Sequence, residues 1–181
     1  NFERVGHLVP LALPGGERAS DEPWRMAAAV LHRLGRGKEI VERFASQPAA
    51  ATVAEMLAVD LNCPSTSSMG RMFDAAVGLL GIKSVISYEG QAAMLLEGLA
   101  QHYGTILPLD QGWRIDQGKL DLLPLFAALA DEKKPERGAA LFHATLIAAL
   151  DDWVRSVAPG EKMAVGSGGC FSNQILVRGL R

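Results

Sequence analysis

The sequence is poor in cysteine and in aromatic side chains, and neither sign of charge prevails. Two cysteines among 181 residues, Cys63 and Cys170, are too few for a disulfide framework, and neither belongs to a CxxC motif. The net charge of −2 gives no general reason to expect binding to nucleic acid or to a membrane. No apolar run reaches the ~20 residues of a bilayer-spanning helix, and no signal peptide is visible. These absences favour a cytoplasmic protein.

Metal-binding motifs are missing as well. The four histidines are scattered along the chain and form neither an HxxxH nor an HExxH motif. His143 lies on an apolar helical stretch, which favours a buried histidine with satisfied hydrogen bonds over a metal ligand. We therefore predict no complete metal site within this chain.

A substantial core is nevertheless expected, because hydrophobic residues make up 49% of the chain. Hydrophobic spacing and turn signals predict a single domain over 1–181 that is mainly α with minor β. Extended structure is predicted at 5–16, a hairpin at 105–116 and a short buried strand at 162–167. Helices are predicted at 20–37, 38–47, 49–62, 68–82, 87–104, 120–133, 135–158 and 171–180.

The segment "VGSGGCFSNQIL" (165–176) combines two glycines with a predicted strand-to-helix turn. Glycines let a ligand approach the backbone, and the first amides of a helix favour an anion. Gly168 and Gly169 could therefore hold a phosphate, or they could form a tight turn that binds nothing. Neither a GxxxxGKS/T nor a GxGxxG motif is present, so the residues alone leave both interpretations open.

Five segments in a fixed order carry a family resemblance: "LPGGERASDEPWRMA", "TSSMGRMFDAAVGLLG", "SYEGQAAMLLEGLA", "LFHATL" and "VGSGGCFSNQIL". Together they resemble the C-terminal, actin-like half of the HypF family, the carbamoyltransferases that mature NiFe-hydrogenases. The resemblance implies the helix-rich part of an acetate-kinase/actin-like fold with two subdomains and a nucleotide in the cleft. The chain opens on Asn1 and stops at "LVRGLR", so we expect a piece of a longer protein.

The resemblance also implies a reaction in two stages. An N-terminal portion makes carbamoyl-adenylate from carbamoyl phosphate and ATP, and the actin-like half passes the carbamoyl group to the C-terminal cysteine of a HypE-type partner. A divalent metal is implied for the longer protein only, with ligands on both sides of this chain. We expect the chain alone to be inactive. Two other functions stay open: a non-catalytic helical docking module, and O-carbamoylation of a small molecule.

Several residues acquire candidate roles through this resemblance. Ser167, Gly168, Gly169 and Asn173 match the family's "SGG-x-F-x-N" loop along the nucleotide phosphates, although Cys170 and Ser172 depart from the commoner "GGVFQN". Asp74 matches an acid that binds the nucleoside ribose; the alternative is a solvated helix acid.

Two further segments carry candidate residues. Glu89 and Gly90, in "SYEGQAA", match part of the nucleoside pocket, with helix capping by Glu89 as the alternative. Arg25, in "EPWR", could clamp a phosphate or carbamoyl group through its planar guanidinium, and Glu22 is a further candidate for the same anion or substrate site. The alternative for this second segment is a surface helix in which Trp24 packs as an anchor.

Overall fold

The computed structural model describes residues 3–161 and 163–181, and helices dominate them. The expected helix-rich class is confirmed, with most predicted helices shortened at their ends. The helices are α1 (Arg18–Asp21), α2 (Pro23–Arg33), α3 (Ile40–Arg43), α4 (Ala50–Ala58), α5 (Met69–Leu79), α6 (Gln91–Tyr103), α7 (Leu123–Asp131), α8 (Pro135–Val157) and α9 (Gln174–Gly179), with 3-10 turns at Gly37–Glu39 and Gly169–Ser172.

Helices α2 and α5 form the closest helix pair of the core, and small residues permit it. A Cβ atom on Gly78 would collide with the carbonyl oxygen of Pro23 and would lie 2.8 Å from Cβ of Ala27. Large side chains fill the space around the pair, and the rings of Phe73 and Phe142 meet edge to face with centroids 4.9 Å apart. Burial of this apolar face drives the helices together.

In the described part of the chain, five short strands form two small sheets beside the helices. Strands β1 (His7–Leu8), β5 (Lys119–Asp121) and β4 (Arg114–Asp116) lie in that order, with β1 parallel and β4 antiparallel to β5. Strands β2 (Leu11–Ala12) and β3 (Ser65–Thr66) pair antiparallel in the second sheet. Extended structure within 5–16 is therefore confirmed.

The hairpin lies later in the chain than the predicted 105–116. Its turn is formed by Gln117 and Gly118, which have φ values of 47° and 76°, as tight hairpin turns require. Gly112, the glycine within the predicted range, is buried. A Cβ atom there would lie 2.6 Å from Cγ2 of Thr145, so close packing against α8 explains this glycine.

The buried strand predicted at 162–167 is wrong over residues 163–167, while Lys162 lies outside the described residues. This segment is irregular and exposed, with Met163 80% and Val165 82% accessible. A strand needs a neighbour for its backbone groups, and none of the strands in the described part of the chain pairs with it.

Within residues 3–161 and 163–181, no helix combines the length and apolarity needed to cross a membrane.

Candidate functional site

The glycine loop, defined here as Ser167, Gly168 and Gly169, lines a cleft of about 380 Å³. Facing it are Arg4 and His7, from the N-terminal segment and β1, and Ser67 and Met69, at the start of α5. The three loop residues are exposed. The structure thus brings three predicted phosphate-contacting residues to one open cleft, where their backbone is accessible.

The two glycines of this loop have different conformational needs. Gly168 has a φ of 97°, a left-handed conformation that other residues rarely adopt. Gly169 begins the 3-10 turn without a positive φ, and a Cβ atom there would meet nothing within 4 Å. The turn therefore requires glycine at 168, whereas the protein's own packing does not explain the glycine at 169.

Asn173 follows the glycine loop and is buried, with both ends of its side chain already paired. Its Oδ1 accepts a hydrogen bond from the N–H of Leu176 at 3.0 Å and thereby caps α9. Its Nδ2 lies 3.0 Å from Nε2 of His143. The expected buried, satisfied histidine at 143 is thus confirmed, and Asn173 anchors the loop to α8.

Asp74 is a buried acid on α5, so the solvated-acid interpretation is wrong. Nη2 of Arg71 lies 3.0 Å from Oδ2 of Asp74. The contact is an ion pair and not a hydrogen bond, since Oδ2 of Asp74 has no hydrogen-bond partner within the described chain. Nη1 of Arg71 is likewise buried there without a hydrogen-bond partner. Burial raises the pKa of Asp74 to about 6, and the nearby positive charge of Arg71 opposes that rise.

Cys170 lines the cleft next to Gly169, whereas Asp74 does not. Burial raises the pKa of the Cys170 thiol, and the carboxylate of Asp74 raises it further. Asp74 thus interacts electrostatically with the residue that follows the glycine loop.

Glu89 and Gly90 precede α6 and do not line this cleft. Gly90 occupies the N-cap position with a φ of 82°, and no side chain caps the helix there. Instead, Oε1 of Gln91 accepts a hydrogen bond from the N–H of Ser87 at 2.8 Å. Capping of α6 by Glu89 is thus wrong, while its place in a nucleoside pocket stays a prediction.

Glu22 and Arg25 belong to an internal network rather than to an open surface. Nε of Arg25 donates to Glu22 at 2.6 Å, and Nη1 donates to the carbonyl of Pro14 at 3.3 Å. Although burial alone would raise the pKa of Glu22, hydrogen bonds from Arg25, Arg18 and Trp24 hold it below its ordinary value. These bonds favour a packing role around buried Trp24 and leave anion binding by Arg25 a prediction.

Arg71 is a site residue that the sequence reasoning missed. Its signal was present in "GRMFDA", where it precedes Asp74 by three residues. On a helix this spacing places two side chains on the same face, so a buried Asp74 would have Arg71 as its neighbour.

Within residues 3–161 and 163–181, no group of three or more His, Cys, Asp or Glu side chains could hold a metal ion. The divalent metal expected in a longer protein stays a prediction.

Comparisons with known proteins cover the whole chain. The family model described as carbamoyltransferase, Kae1-like domain, second subdomain, matches residues 1–181. The carbamoyltransferase HypF2 of Cupriavidus necator is 51% identical over 98% of this chain and 26% of its own length. The carbamoyltransferase HypF of Rhizobium leguminosarum bv. viciae is 39% identical over 99% of this chain and 24% of its own length. The chain thus spans about a quarter of these two relatives.

Solved structures agree with this match. The crystal structure of full-length HypF in the phosphate- and nucleotide-bound form superposes with a TM-score of 0.80 and 27% identity, over 99% of this chain and 25% of that one. The crystal structure of T. kodakarensis HypF gives a TM-score of 0.76 and 25% identity, over 98% and 25% of the two chains. The chain belongs to the HypF carbamoyltransferase family and corresponds to the second subdomain of its Kae1-like domain.

Proposed function

We propose that this chain is one subdomain of a longer carbamoyltransferase, in which it binds carbamoyl-adenylate and positions it for transfer. Carbamoyl phosphate and ATP are the substrates of the longer protein, and the acceptor is the C-terminal cysteine thiol of a HypE-type partner. The reaction belongs to cyanide-ligand synthesis for NiFe-hydrogenase. The chain alone is inactive.

The buried Oδ2 atom of Asp74, which is paired in charge with Arg71 but accepts no hydrogen bond within the described chain, carries this proposal. A buried polar atom without a partner costs about 1–3 kcal/mol, and nearly all such atoms in folded proteins are paired. Oδ2 of Asp74 finds no hydrogen-bond partner in the described chain. A ligand that donates hydrogen bonds explains this atom, and the two hydroxyls of a ribose are donors of the right kind.

The glycine loop supplies the second half of the proposed site. The first N–H groups of a helical turn have no partner inside that turn, and the 3-10 turn begins at Gly169 on the wall of the cleft. Phosphate oxygens of the adenylate accept hydrogen bonds from such groups. Gly168 gives the loop its left-handed bend, and Asn173 fixes its far end to α8.

Positioning is the main contribution of these residues. During transfer, the acceptor's thiolate sulfur forms a bond to the carbamoyl carbon, and the bond from that carbon to the adenylate phosphate oxygen breaks. The leaving adenylate takes the bonding electrons as a phosphate anion, and the N–H groups of the glycine loop stabilise that charge. Asp74 holds the ribose, so the carbamoyl carbon is held in line with the sulfur.

The test uses the intact protein that carries this chain, with ATP, carbamoyl phosphate and the HypE-type partner. Asp74→Asn should weaken binding of a non-hydrolysable ATP analogue by about 10–100-fold, as expected for losing about 1–3 kcal/mol of hydrogen bonding. Carbamoylation of the partner, followed by mass spectrometry of its C-terminal peptide, should fall with it. Asp151→Asn is the matched control, because Asp151 is a helical acid paired with Arg155 but exposed.

Unchanged affinity and transfer in Asp74→Asn would contradict the assignment of Asp74. Transfer that persists after the partner's C-terminal cysteine is replaced by serine would contradict the thiol acceptor. No transfer at all by the wild-type protein, with tight binding of the partner, would favour the docking module.

A further inference from the structure

We infer that Arg71 is a positioning residue that keeps the Asp74 carboxylate ionised and thus able to accept hydrogen bonds from the nucleoside sugar. This inference rests on the role proposed for Asp74. Arg71 acts through Asp74 and needs no contact with the nucleotide itself.

The geometry of the pair supports an electrostatic role. Arg71 and Asp74 lie three residues apart on α5, with Nη2 and Oδ2 separated by 3.0 Å. The side chain of Asp74 is 5% exposed and that of Arg71 is 19% exposed, so solvent screens their attraction weakly. Because the contact lacks hydrogen-bond geometry, Oδ2 keeps its acceptor capacity for a ligand. The guanidinium therefore supplies charge without occupying the atom that a sugar hydroxyl would need.

Among the charged groups near Asp74, Arg71 is the cation that counteracts the rise in pKa caused by burial. From the elements packed near it, Cys170 is the other titratable group that interacts with Asp74. Four charged or titratable side chains on the neighbouring helices have partners elsewhere: Arg25 with Glu22, Glu97 with the N–H of Gln174, Asp131 with Arg36 and His143 with Asn173.

The protonation state of Asp74 decides what it can bind. A carboxylate only accepts hydrogen bonds, whereas a carboxylic acid also donates one. Burial raises the pKa of Asp74 to about 6 even with Arg71 in place, so roughly nine in ten molecules are ionised near pH 7. An adjacent opposite charge lowers the pKa of an acid by about 1–3 units. Removing Arg71 should therefore leave Asp74 largely protonated near neutral pH.

The experiment measures the affinity of the intact protein for a non-hydrolysable ATP analogue by calorimetry, from about pH 5.5 to about pH 9. Wild-type affinity should fall as the pH drops through about 6. In Arg71→Gln, the midpoint should move upward by about 1–3 pH units. For a shift of about 2 units, the affinity of this variant near pH 7 should be roughly tenfold weaker, with recovery towards wild type near pH 9. Arg71→Lys should restore the wild-type midpoint.

Arg155→Gln is the matched control, because it removes a guanidinium paired with an exposed helical acid, and it should leave the profile unchanged. A loss of affinity in Arg71→Gln that is equal at every pH, with the wild-type midpoint, would overturn the inference. That pattern belongs to a direct contact or to a structural role.

A second measurement does not depend on nucleotide binding. Because folding raises the pKa of Asp74, the native state holds its proton more tightly than the unfolded state, and stability falls as the pH rises from about 4 to about 6. The stability gained by Asp74→Asn, followed by thermal unfolding, should thus grow with pH and level off above about 6. In the Arg71→Gln background it should keep growing to higher pH.

The two measurements separate the inference from the proposed function. If the stability gained by Asp74→Asn levels off at the same pH with and without Arg71→Gln, the inference is wrong, whatever the result of the nucleotide titrations. If the plateau moves as expected but Asp74→Asn binds the ATP analogue as tightly as wild type, Arg71 does keep the Asp74 carboxylate ionised. The ribose contact of Asp74 is then the part that fails.

Discussion

Asn173 and His143 join the glycine loop to the longest helix of the protein. Nδ2 of Asn173 lies 3.0 Å from Nε2 of His143, and Nδ1 of the same ring lies 2.8 Å from the carbonyl oxygen of Ala139. Because a carbonyl only accepts, Nδ1 carries the proton and Nε2 accepts from the amide. The histidine is therefore neutral and satisfied, and the loop's anchor depends on that protonation state.

Replacing Asn173 by alanine should destabilise the protein. The change removes the cap of α9, worth about 1 kcal/mol, and leaves Nε2 of His143 buried without a donor, at a cost of about 1–3 kcal/mol. We expect the free energy of unfolding in denaturant to fall by about 2–4 kcal/mol. Exposed Ser172 is the neighbouring control, and Ser172→Ala should stay within about 0.5 kcal/mol of wild type. A similarly small effect of Asn173→Ala would mean that neither bond stabilises the fold.

Acid should weaken the contact between Asn173 and His143, because protonated Nε2 no longer accepts a hydrogen bond. Burial lowers the pKa of His143, while its bond to Ala139 and the charge of Glu97 oppose that shift. For a histidine with a depressed folded pKa, the unfolded state binds more protons, so stability falls as the pH drops below about 6.5. A variant without a titratable ring, His143→Phe, lacks this dependence. As the pH drops from about 7 to about 5, the free energy of unfolding of this variant should increase relative to that of wild type.

Exposed His102, at the end of α6, provides the control for that pH effect. His102→Gln should keep the wild-type dependence of unfolding free energy on pH. Parallel profiles for His143→Phe and wild type would contradict a role for neutral His143.

Local pattern predicts much of this fold because burial follows it. The helix predicted at 68–82 is observed as Met69–Leu79, since its apolar spacing matches the face that packs on α2. The strand at 163–167 failed because an apolar run does not show whether a neighbouring strand exists to pair with it. The hairpin predicted at 105–116 failed because the turn at 109–112 has no paired strands on its two sides in the described structure. The packing of Thr145, distant in sequence, requires the glycine at 112.

The candidate site was less accessible to sequence reasoning. The resemblance indicated Asp74, but its burial and its lack of a hydrogen-bond partner depend on the contacts of α5 with the rest of the fold. Arg25 was a candidate for binding an anion, yet it is buried and two of its N–H groups donate to the carboxylate of Glu22 and the carbonyl of Pro14. Residue type and spacing cannot distinguish these two environments.

Gly78 and Gly98 should respond in opposite ways to the same substitution. Gly78→Ala inserts a methyl group against Pro23 and Ala27 at the contact of α2 with α5, so overpacking should cost about 1–3 kcal/mol. Gly98 lies within α6, and a Cβ atom there would meet nothing within 4 Å. Gly98→Ala should therefore stabilise the helix by about 0.5–1 kcal/mol. Denaturant unfolding of both variants tests this, and equal effects would contradict the close approach of α2 and α5.

The glycine loop gives a last comparison, between Gly168 and Gly169. Gly168→Val forces a β-branched side chain into a left-handed conformation, which should lower stability by about 1–3 kcal/mol. Gly169→Val meets no such strain and no neighbouring atom, so thermal melts should stay close to wild type. If phosphate approaches the backbone at Gly169, the same side chain should abolish binding of a non-hydrolysable ATP analogue in calorimetry. Unchanged affinity in Gly169→Val, with a normal melt, would show that the loop is a structural turn whose only required glycine is Gly168.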